Sequence, residues 1–367
     1  MQKYIYQSPN WPNFTWKEPE IQVILGKVRH LQGKIQGQMS ALGFSAREET
    51  MLTTLTLDVV RSSEIEGENL NFEQVRSSIA RKLGMDYAGM LPANRAVEGV
   101  VEMLLDATQN FKKTLDEDRL FGWHAALFPT GRSGMHQIDA GCYRKGEMQV
   151  VSGPMGKEKV HFQAPSYLIV KAEMDVFLRW LNGDTNIDLV LKAAIAHFWF
   201  ILIHPFDDGN GRIARAISDM LLACSENNPQ RFYSLSSQIL VERKAYYATL
   251  QKVQFSEGDI TEWLLWFLNC LYAAIESSEK SIEMILDKAM FWDKHAETIL
   301  NGRQRLMLNK LLDGFDGKLN TSKWAKIAKC SADTALRDVV DLMAKDILQK
   351  DSAGGRSTNY ELVKKKS

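Results

Sequence analysis

The densest run of reactive and phosphate-seeking residues in the chain is HPFDDGNGRIAR, His204 to Arg215. It closes one apolar helical segment and opens another. Gly209, Asn210 and Gly211 let the backbone come close to a ligand, and the N–H groups that begin the next helix project outward at the positive end of its dipole. That is a seat for an anion. Arg212 and Arg215, three apart, share a helix face, so two guanidinium groups can grip further phosphate oxygens, and the set suits a polyphosphate. Asp208, directly before the glycines, supplies a hard carboxylate that can hold a magnesium ion against those oxygens. His204 stands where it can take a proton from an attacking hydroxyl. Each residue has a plain reading by itself, since a His before Pro ends helices, a G-x-G makes turns and two arginines make a solvated face. Twelve contiguous positions that serve one chemistry are a stronger signal. Phosphoryl-type transfer needs in-line positioning and charge neutralisation more than covalent help, and these parts provide both. No Walker A run and no H-E-x-x-H in the sequence offers a competing chemistry.

The elements that must position this run are mainly helical. Between residues 20 and 115 apolar positions such as Leu52, Leu55, Val59 and Val60 recur at helical spacing, and further helices are expected over 166–182, 188–203, 212–224, 236–253 and 260–289. The stretch 140–165 breaks the pattern. There MQVV and KVHF flank a Gly-Pro turn cluster and predict one exposed hairpin. Beyond about residue 300, helices near 303–313, 321–329 and 331–344 followed by a hairpin around Gly354 and Gly355 give the order of a winged helix-turn-helix. From Lys318 to Ser367, eleven Lys and Arg against six Asp and Glu leave this module mildly basic. Ser331, Asp333, Thr334 and Arg337 would start a recognition helix and Arg356 would sit in the wing of a DNA reader, while Asp338 and Asp341 oppose that use.

Length and composition bound the rest. At 367 residues the chain predicts two or three domains. Lys+Arg 45 against Asp+Glu 45 removes any global field toward nucleic acid or anionic membrane. Cys142, Cys224, Cys270 and Cys330 are far apart, without a C-x-x-C pair, and read as reduced, buried thiols. The start lacks a signal-peptide pattern, and the longest apolar run, FWFILI at 198–203, is too short to span a bilayer. A soluble, cytoplasmic protein with no membrane partner is expected.

At HPFDDGNGRIAR the sequence resembles the Fic family, whose signature is His-Pro-Phe, any residue, Asp or Glu, Gly-Asn-Gly-Arg, two residues and Arg; every specified position matches. The resemblance implies a mainly α fold: a helical bundle with a β-hairpin flap, here Tyr143 to Phe162, plus the winged helix appendage. It implies transfer of AMP from ATP, with Mg2+, to a Ser, Thr or Tyr hydroxyl of a protein target. His204 would be the general base, Asp208 the magnesium ligand, and Asn210 with the neighbouring backbone of Gly209 and Gly211 the anion hole. Arg212 and Arg215 would clamp phosphates, and Phe206 would anchor the core. Tyr246 and Tyr247 fall where the family lines its adenine pocket, although helical spacing alone would place them in the core. His197 reads as a core histidine. Relatives that transfer a phosphate tend to lose the distal arginine, which this chain keeps.

A second resemblance lies upstream, where SSEIEG fits the family's inhibitory motif through Ser62, Glu66 and Gly67. By that resemblance Glu66 pairs with Arg215 and displaces the γ-phosphate; the plain reading is a helix terminus capped by Gly67. The opening YIYQSPNWPNFTW resembles a short domain attached to many bacterial Fic proteins. The expected organisation is 1–90 with the inhibitory motif, 91–290 as catalytic core and 291–367 as winged helix. The expected function is an autoinhibited protein adenylyltransferase that also modifies itself, with the target docked at the flap; some relatives with the glutamate also remove AMP. A DNA-binding regulator, or transfer or removal of another nucleotide group, stays open as the alternative, as does a homodimer.

Overall fold

The computed structural model describes residues 3–40, 43–85, 90–152, 159–312, 315, 317–351 and 358–363. The chain divides into two units, Met1–Glu279 and Lys280–Ser367. In the first, α1 (Glu18–Ser40), α2 (Phe44–Ile65), α3 (Phe72–Lys82), α4 (Arg95–Gln109) and α5 (Glu117–Leu127) precede four short strands. The strands are β1 (Arg132–Ser133), β2 (His136–Gln137), β3 (Gln149–Ser152) and β4 (Lys159–Gln163). Then come α6 (Val170–Asn182), α7 (Leu189–Ile203), α8 (Asn210–Glu226), α9 (Leu235–Val241), α10 (Arg243–Val253) and α11 (Thr261–Lys294), the last running on into the second unit. Among the described residues no helix is long and apolar enough to cross a membrane.

The sequence of α7, LVLKAAIAHFWFILI, is apolar all round, which only a helix enclosed on every side can satisfy, and thirteen of its residues are buried. Asp188 caps its start, accepting from the Val190 N–H at 2.8 Å, and is itself tied to α1 by Arg29 at 2.9 Å. α8 packs along it. The expected hairpin is present as antiparallel β3 and β4, Val150 opposite Phe162, with a register irregularity between Val150 and Val151; its expected turn cluster lies outside the described residues. The opening aromatic segment packs on this hairpin's foot: the Tyr6 hydroxyl donates to the Gln163 carbonyl at 2.9 Å, and the Tyr4 hydroxyl accepts from the Gln163 N–H at 3.1 Å. Three features differ from expectation. The helix expected over 236–253 is interrupted at Glu242, whose backbone (φ −97, ψ 19) ends α9 and starts α10. The hairpin of β1 and β2, two residues to a strand, is too short to leave an alternating pattern. Of the four cysteines read as buried thiols, all are free but only Cys270 is buried; the others are half-buried.

A buried charge cluster ties α2 to α8. Arg231 forms an ion pair with Asp219 at 2.7 Å and donates to Asp58 at 3.2 Å, and the Ser234 hydroxyl donates to Asp58. Two carboxylates share one guanidinium, so burial and the charge of Asp219 push Asp58 up to about 7. The folded chain then holds a proton that the unfolded chain has lost, and this group's contribution to stability falls as pH rises from about 4 through about 7. Asp58→Asn removes that loss. Its stability relative to the parent is expected to climb between about pH 4 and pH 7, by at most ~1.4 kcal/mol per pH unit, read as a widening difference in melting temperature. Parallel melting curves for the two proteins across that range would refute the assignment.

The second unit holds α12 (Gly302–Leu312), α13 (Thr321–Ile327), α14 (Ala332–Ala344), β5 (Leu348–Lys350) and β6 (Tyr360–Leu362). β5 and β6 are antiparallel, and Leu319 bridges to Tyr360. Met307, Leu308, Leu319, Trp324, Val339 and Leu342 form its core. Gly354, Gly355 and Arg356, expected at the hairpin tip, lie outside the described residues. On α14, Ser331 caps the start by accepting from the Thr334 N–H at 3.2 Å, and Asp338 turns inward onto Arg303 at 2.8 Å. Leu336 and Val340 are exposed.

Candidate active site

The site forms where α7 meets α8. α7 stops because His204 adopts left-handed backbone (φ 51) and Pro205 follows, a residue without an N–H that disfavours helix before it. The loop from Pro205 to Gly209 then folds under the start of α8. Asn210 holds it there, its Oδ1 accepting from the Phe206 N–H at 3.0 Å and its Nδ2 donating to the Phe206 carbonyl at 2.8 Å. The Asn210 amide is therefore spent on the loop, and what it offers an anion is its backbone N–H. Among the described residues the N–H groups of Asn210, Gly211 and Arg212 have no backbone acceptor, as the first turn of a helix requires. Phe206 is fully buried, the core anchor the signature implies.

Gly209 has φ 80, and a Cβ there would lie 2.9 Å from the Phe128 ring. Gly209→Ala is expected to cost about 1–3 kcal/mol through backbone strain and overpacking. Thermal unfolding measures it, and an unchanged melting temperature would show that the turn does not need glycine.

Three side chains that the sequence did not single out brace the loop. His124 of α5 stacks on Phe206 at 4.1 Å, accepts from the Gly141 N–H at Nδ1 (3.0 Å) and donates from Nε2 to the Asp208 carbonyl (3.2 Å). Burial pushes it down to about 4, so the ring is neutral, as that bonding requires. Ser133 of β1 donates to Asp208 Oδ2, while the Gly209 N–H donates to Oδ1. Arg144 donates from Nε to the His204 carbonyl at 2.8 Å.

His204 itself is half-buried, with Nδ1 donating to the Ile201 carbonyl at 3.3 Å, which leaves Nε2 as the nitrogen that carries the lone pair. Burial, and to a lesser degree the Arg144 guanidinium, push the ring down to about 4, so it is neutral near pH 7 and able to accept a proton.

Both arginines of the run are buried and both meet the segment after α2. Arg215 donates from Nε to Ser62 Oγ at 2.8 Å, and from Nη2 to the Ser62 carbonyl at 2.9 Å and Glu66 Oε1 at 2.8 Å. Arg212 donates from Nη1 to Glu68 Oε2 at 2.7 Å and lies 5.0 Å over the Phe128 ring. Glu68 had no place in the sequence reading. The geometry of Gly67 explains both contacts: with φ 85 it ends α2 in a Schellman turn, the Gly67 N–H donating to the Glu64 carbonyl and the Glu68 N–H to the Ser63 carbonyl, each at 3.0 Å. The terminus reading of SSEIEG and the carboxylate pairing are thus one structure, because the cap turns residues 66 and 68 toward α8. A Cβ at Gly211 would overlap the Glu66 carboxylate, so Glu66 rests on the open first turn of α8. Arg215 Nη1 and Arg212 Nε remain buried donors without a partner among the described residues.

Tyr246 and Tyr247 divide. Tyr246 is fully buried, its hydroxyl 2.9 Å from His197 Nε2, with His197 Nδ1 2.9 Å from Ser218 Oγ. His197 is the core histidine expected, and Tyr246 corrects the adenine-pocket expectation: its hydroxyl is committed to the core. Tyr247 keeps an exposed edge, with the Arg243 guanidinium 5.7 Å from its ring centroid. No group of three or more His, Cys, Asp or Glu among the described residues is arranged to enclose a metal.

The mainly helical core, with its hairpin and the open start of α8, has the Fic fold. Residues 114–222, from before α5 through most of α8, match the Fic/DOC family, and the chain carries a Fic domain there. Residues 4–85 match a domain of unknown function, DUF4172. The chain is 26% identical over 245 residues to protein adenylyltransferase fic-1 of Caenorhabditis elegans, covering 63% of this chain and 42% of that one. It is 26% identical over 239 residues to protein adenylyltransferase Fic of Drosophila yakuba, covering 62% and 41%. It spans less than half the length of these relatives. The crystal structure of a Fic family protein from Desulfovibrio desulfuricans G20 shares the fold, with a TM-score of 0.56 at 21% identity over 97% of this chain and 99% of that one.

Proposed function

We propose that the chain transfers AMP from ATP to a hydroxyl side chain of a protein, itself included, and that Glu66 and Glu68 restrain it. The observation that carries this reading is the pair of buried arginines whose unpartnered N–H groups, Arg215 Nη1 and Arg212 Nε, accompany the free first-turn N–H groups of α8. A buried donor without a partner costs about 1–3 kcal/mol, so these groups fit an anion that the resting chain replaces only in part with two carboxylates. A polyphosphate suits them better than a single carboxylate does, and the relatives' names supply the nucleotide class.

In the proposed reaction the target oxygen attacks the α-phosphorus of ATP and the bond to the pyrophosphate oxygen breaks. The hydroxyl proton passes to His204 Nε2, and the pyrophosphate leaves with its charge held by the α8 first turn, Arg212 and Arg215. Asp208 is the residue that would hold magnesium. One carboxylate on a rigid loop, with phosphate oxygens and water completing the shell, is a donor set this hard cation accepts. When bound it would neutralise the leaving pyrophosphate. β3, exposed at Gln149, Val150 and Val151 and paired only with β4 among the described residues, offers the target an edge for strand addition.

The test is to incubate the Glu66→Gly protein with ATP and magnesium and follow intact mass. One added adenylyl group, abolished by EDTA and not reproduced by GTP, UTP or CTP, is the expected outcome. No added mass with any of the four nucleotides would refute transfer.

A further inference from the structure

Arg144 lies between the flap and the loop that carries His204, and is buried to 2% exposure. Its backbone N–H donates to the Pro205 carbonyl at 2.9 Å. Its side chain donates from Nε to the His204 carbonyl at 2.8 Å, from Nη1 to the Gly146 carbonyl at 2.8 Å, and from Nη2 to the Pro165 carbonyl. Gly146 stands just before β3 and Pro165 just after β4, so one guanidinium joins both feet of the hairpin to the loop. Among the described residues no carboxylate lies within ion-pairing distance of it. A buried cation solvated only by carbonyls is costly to maintain, and a contact that merely filled space could be made by an apolar side chain without that cost.

We propose that Arg144 is a positioning residue of the transfer, locking the flap that presents the target to the backbone of the residue that takes its proton. The proposal rests on the transfer reading above. Reaction requires the target oxygen, delivered by β3, and His204 Nε2, carried by a left-handed residue, to keep one register, and misplacement by about 1 Å can cost roughly a hundredfold in rate. The planar fork is what three carbonyls in different directions require; a lysine ammonium retains the charge but cannot span all three. The same guanidinium, from the flap foot, lowers the proton affinity of His204. Glu66 from α2 and Asp208 from the loop act in the opposite sense, as does the Ile201 carbonyl.

The test uses the full chain in the Glu66→Gly background, with ATP and magnesium as the probe and AMP incorporation into the chain as the readout. Arg144→Lys and Arg144→Met are both expected to bind ATP within about twofold of the parent and to turn over ten- to a hundredfold more slowly. The pH profile separates positioning from general destabilisation. Loss of the cation in Arg144→Met moves the acid limb to higher pH, whereas Arg144→Lys leaves it in place. Parental turnover by Arg144→Lys, or an unmoved acid limb in Arg144→Met, overturns the proposal, and if the Met variant does not fold the Lys variant decides. Should the parent incorporate no AMP, the transfer reading fails. Amide exchange then judges the lock directly: faster exchange across β3 and β4 in Arg144→Lys supports it, and unchanged exchange overturns it.

Discussion

Replacing Glu66 with glycine is expected to raise AMP incorporation roughly 5–150-fold, the range of a typical coupling free energy of about 1–3 kcal/mol between two sites. In the resting chain the Glu66 carboxylate holds Arg215 Nη2 at 2.8 Å and rests on the first turn of α8, so on the proposed reading it takes one of the donors that a terminal phosphate would use. A phosphate of the same sign must displace it before ATP can lie with its α-phosphorus exposed. Removing it leaves a buried guanidinium that still donates to Ser62, so the variant loses some stability without nucleotide. That loss is only part of the roughly 3–5 kcal/mol of a fully buried pair, because Glu66 is 31% exposed. ATP is expected to restore it. Adding Arg215→Ala should abolish the gain. Glu68→Gln alone should give a smaller rise, since Glu68 holds Arg212 from a more exposed position, 45% against 31%. Equal incorporation by parent and Glu66→Gly would mean that the Schellman turn after α2 is a helix end and nothing more.

The parts of the site that were legible in sequence are those that are local. His204 to Arg215 form a helix end, a turn and a helix start, and twelve adjacent residues specify that geometry through Pro205, Gly209 and the spacing of the arginines. The flap was legible for the same reason, since the β-forming runs MQVV and KVHF flank a turn cluster within a few residues. The contact of Glu66 with Arg215 spans 149 positions and was accessible only through resemblance. Glu68 was missed because the matching motif ends one residue before it. His124, Ser133 and Arg144 were invisible for a chemical reason. His124 and Arg144 act on backbone carbonyls, which every residue possesses, and Ser133 sits on a strand of two residues. Such contacts leave no pattern of residue types, although the lone Arg144 between an aromatic residue and Gly146, ahead of the hairpin, was a signal that could have been weighed. Tyr246 was misplaced because a tyrosine whose hydroxyl bonds a buried histidine has the same helical spacing as one that faces a ligand.

His204→Ala in the Glu66→Gly background should lower turnover by about 10²–10⁴-fold, the usual span for removing a positioned general base. ATP affinity should stay within about twofold, because in the proposed reaction the phosphates would be held by α8 and its arginines while the imidazole would face the incoming hydroxyl. His204 sits at φ 51, a conformation that alanine adopts with strain, so His204→Ala also disturbs the loop. Asparagine tolerates left-handed backbone and lacks the base, so His204→Asn is the matched variant, and its loss of turnover reports the base alone. The pH profile gives a second, independent reading. In the parent, a ring held near 4 by burial is neutral from pH 5 upward, so the rate should be flat there and fall only as the pH approaches 4. In His204→Asn that acid limb should vanish together with most of the rate. If His204→Asn turned over at the parental rate, with the acid limb in place, the proton would be leaving by another route and the role assigned to His204 would be wrong.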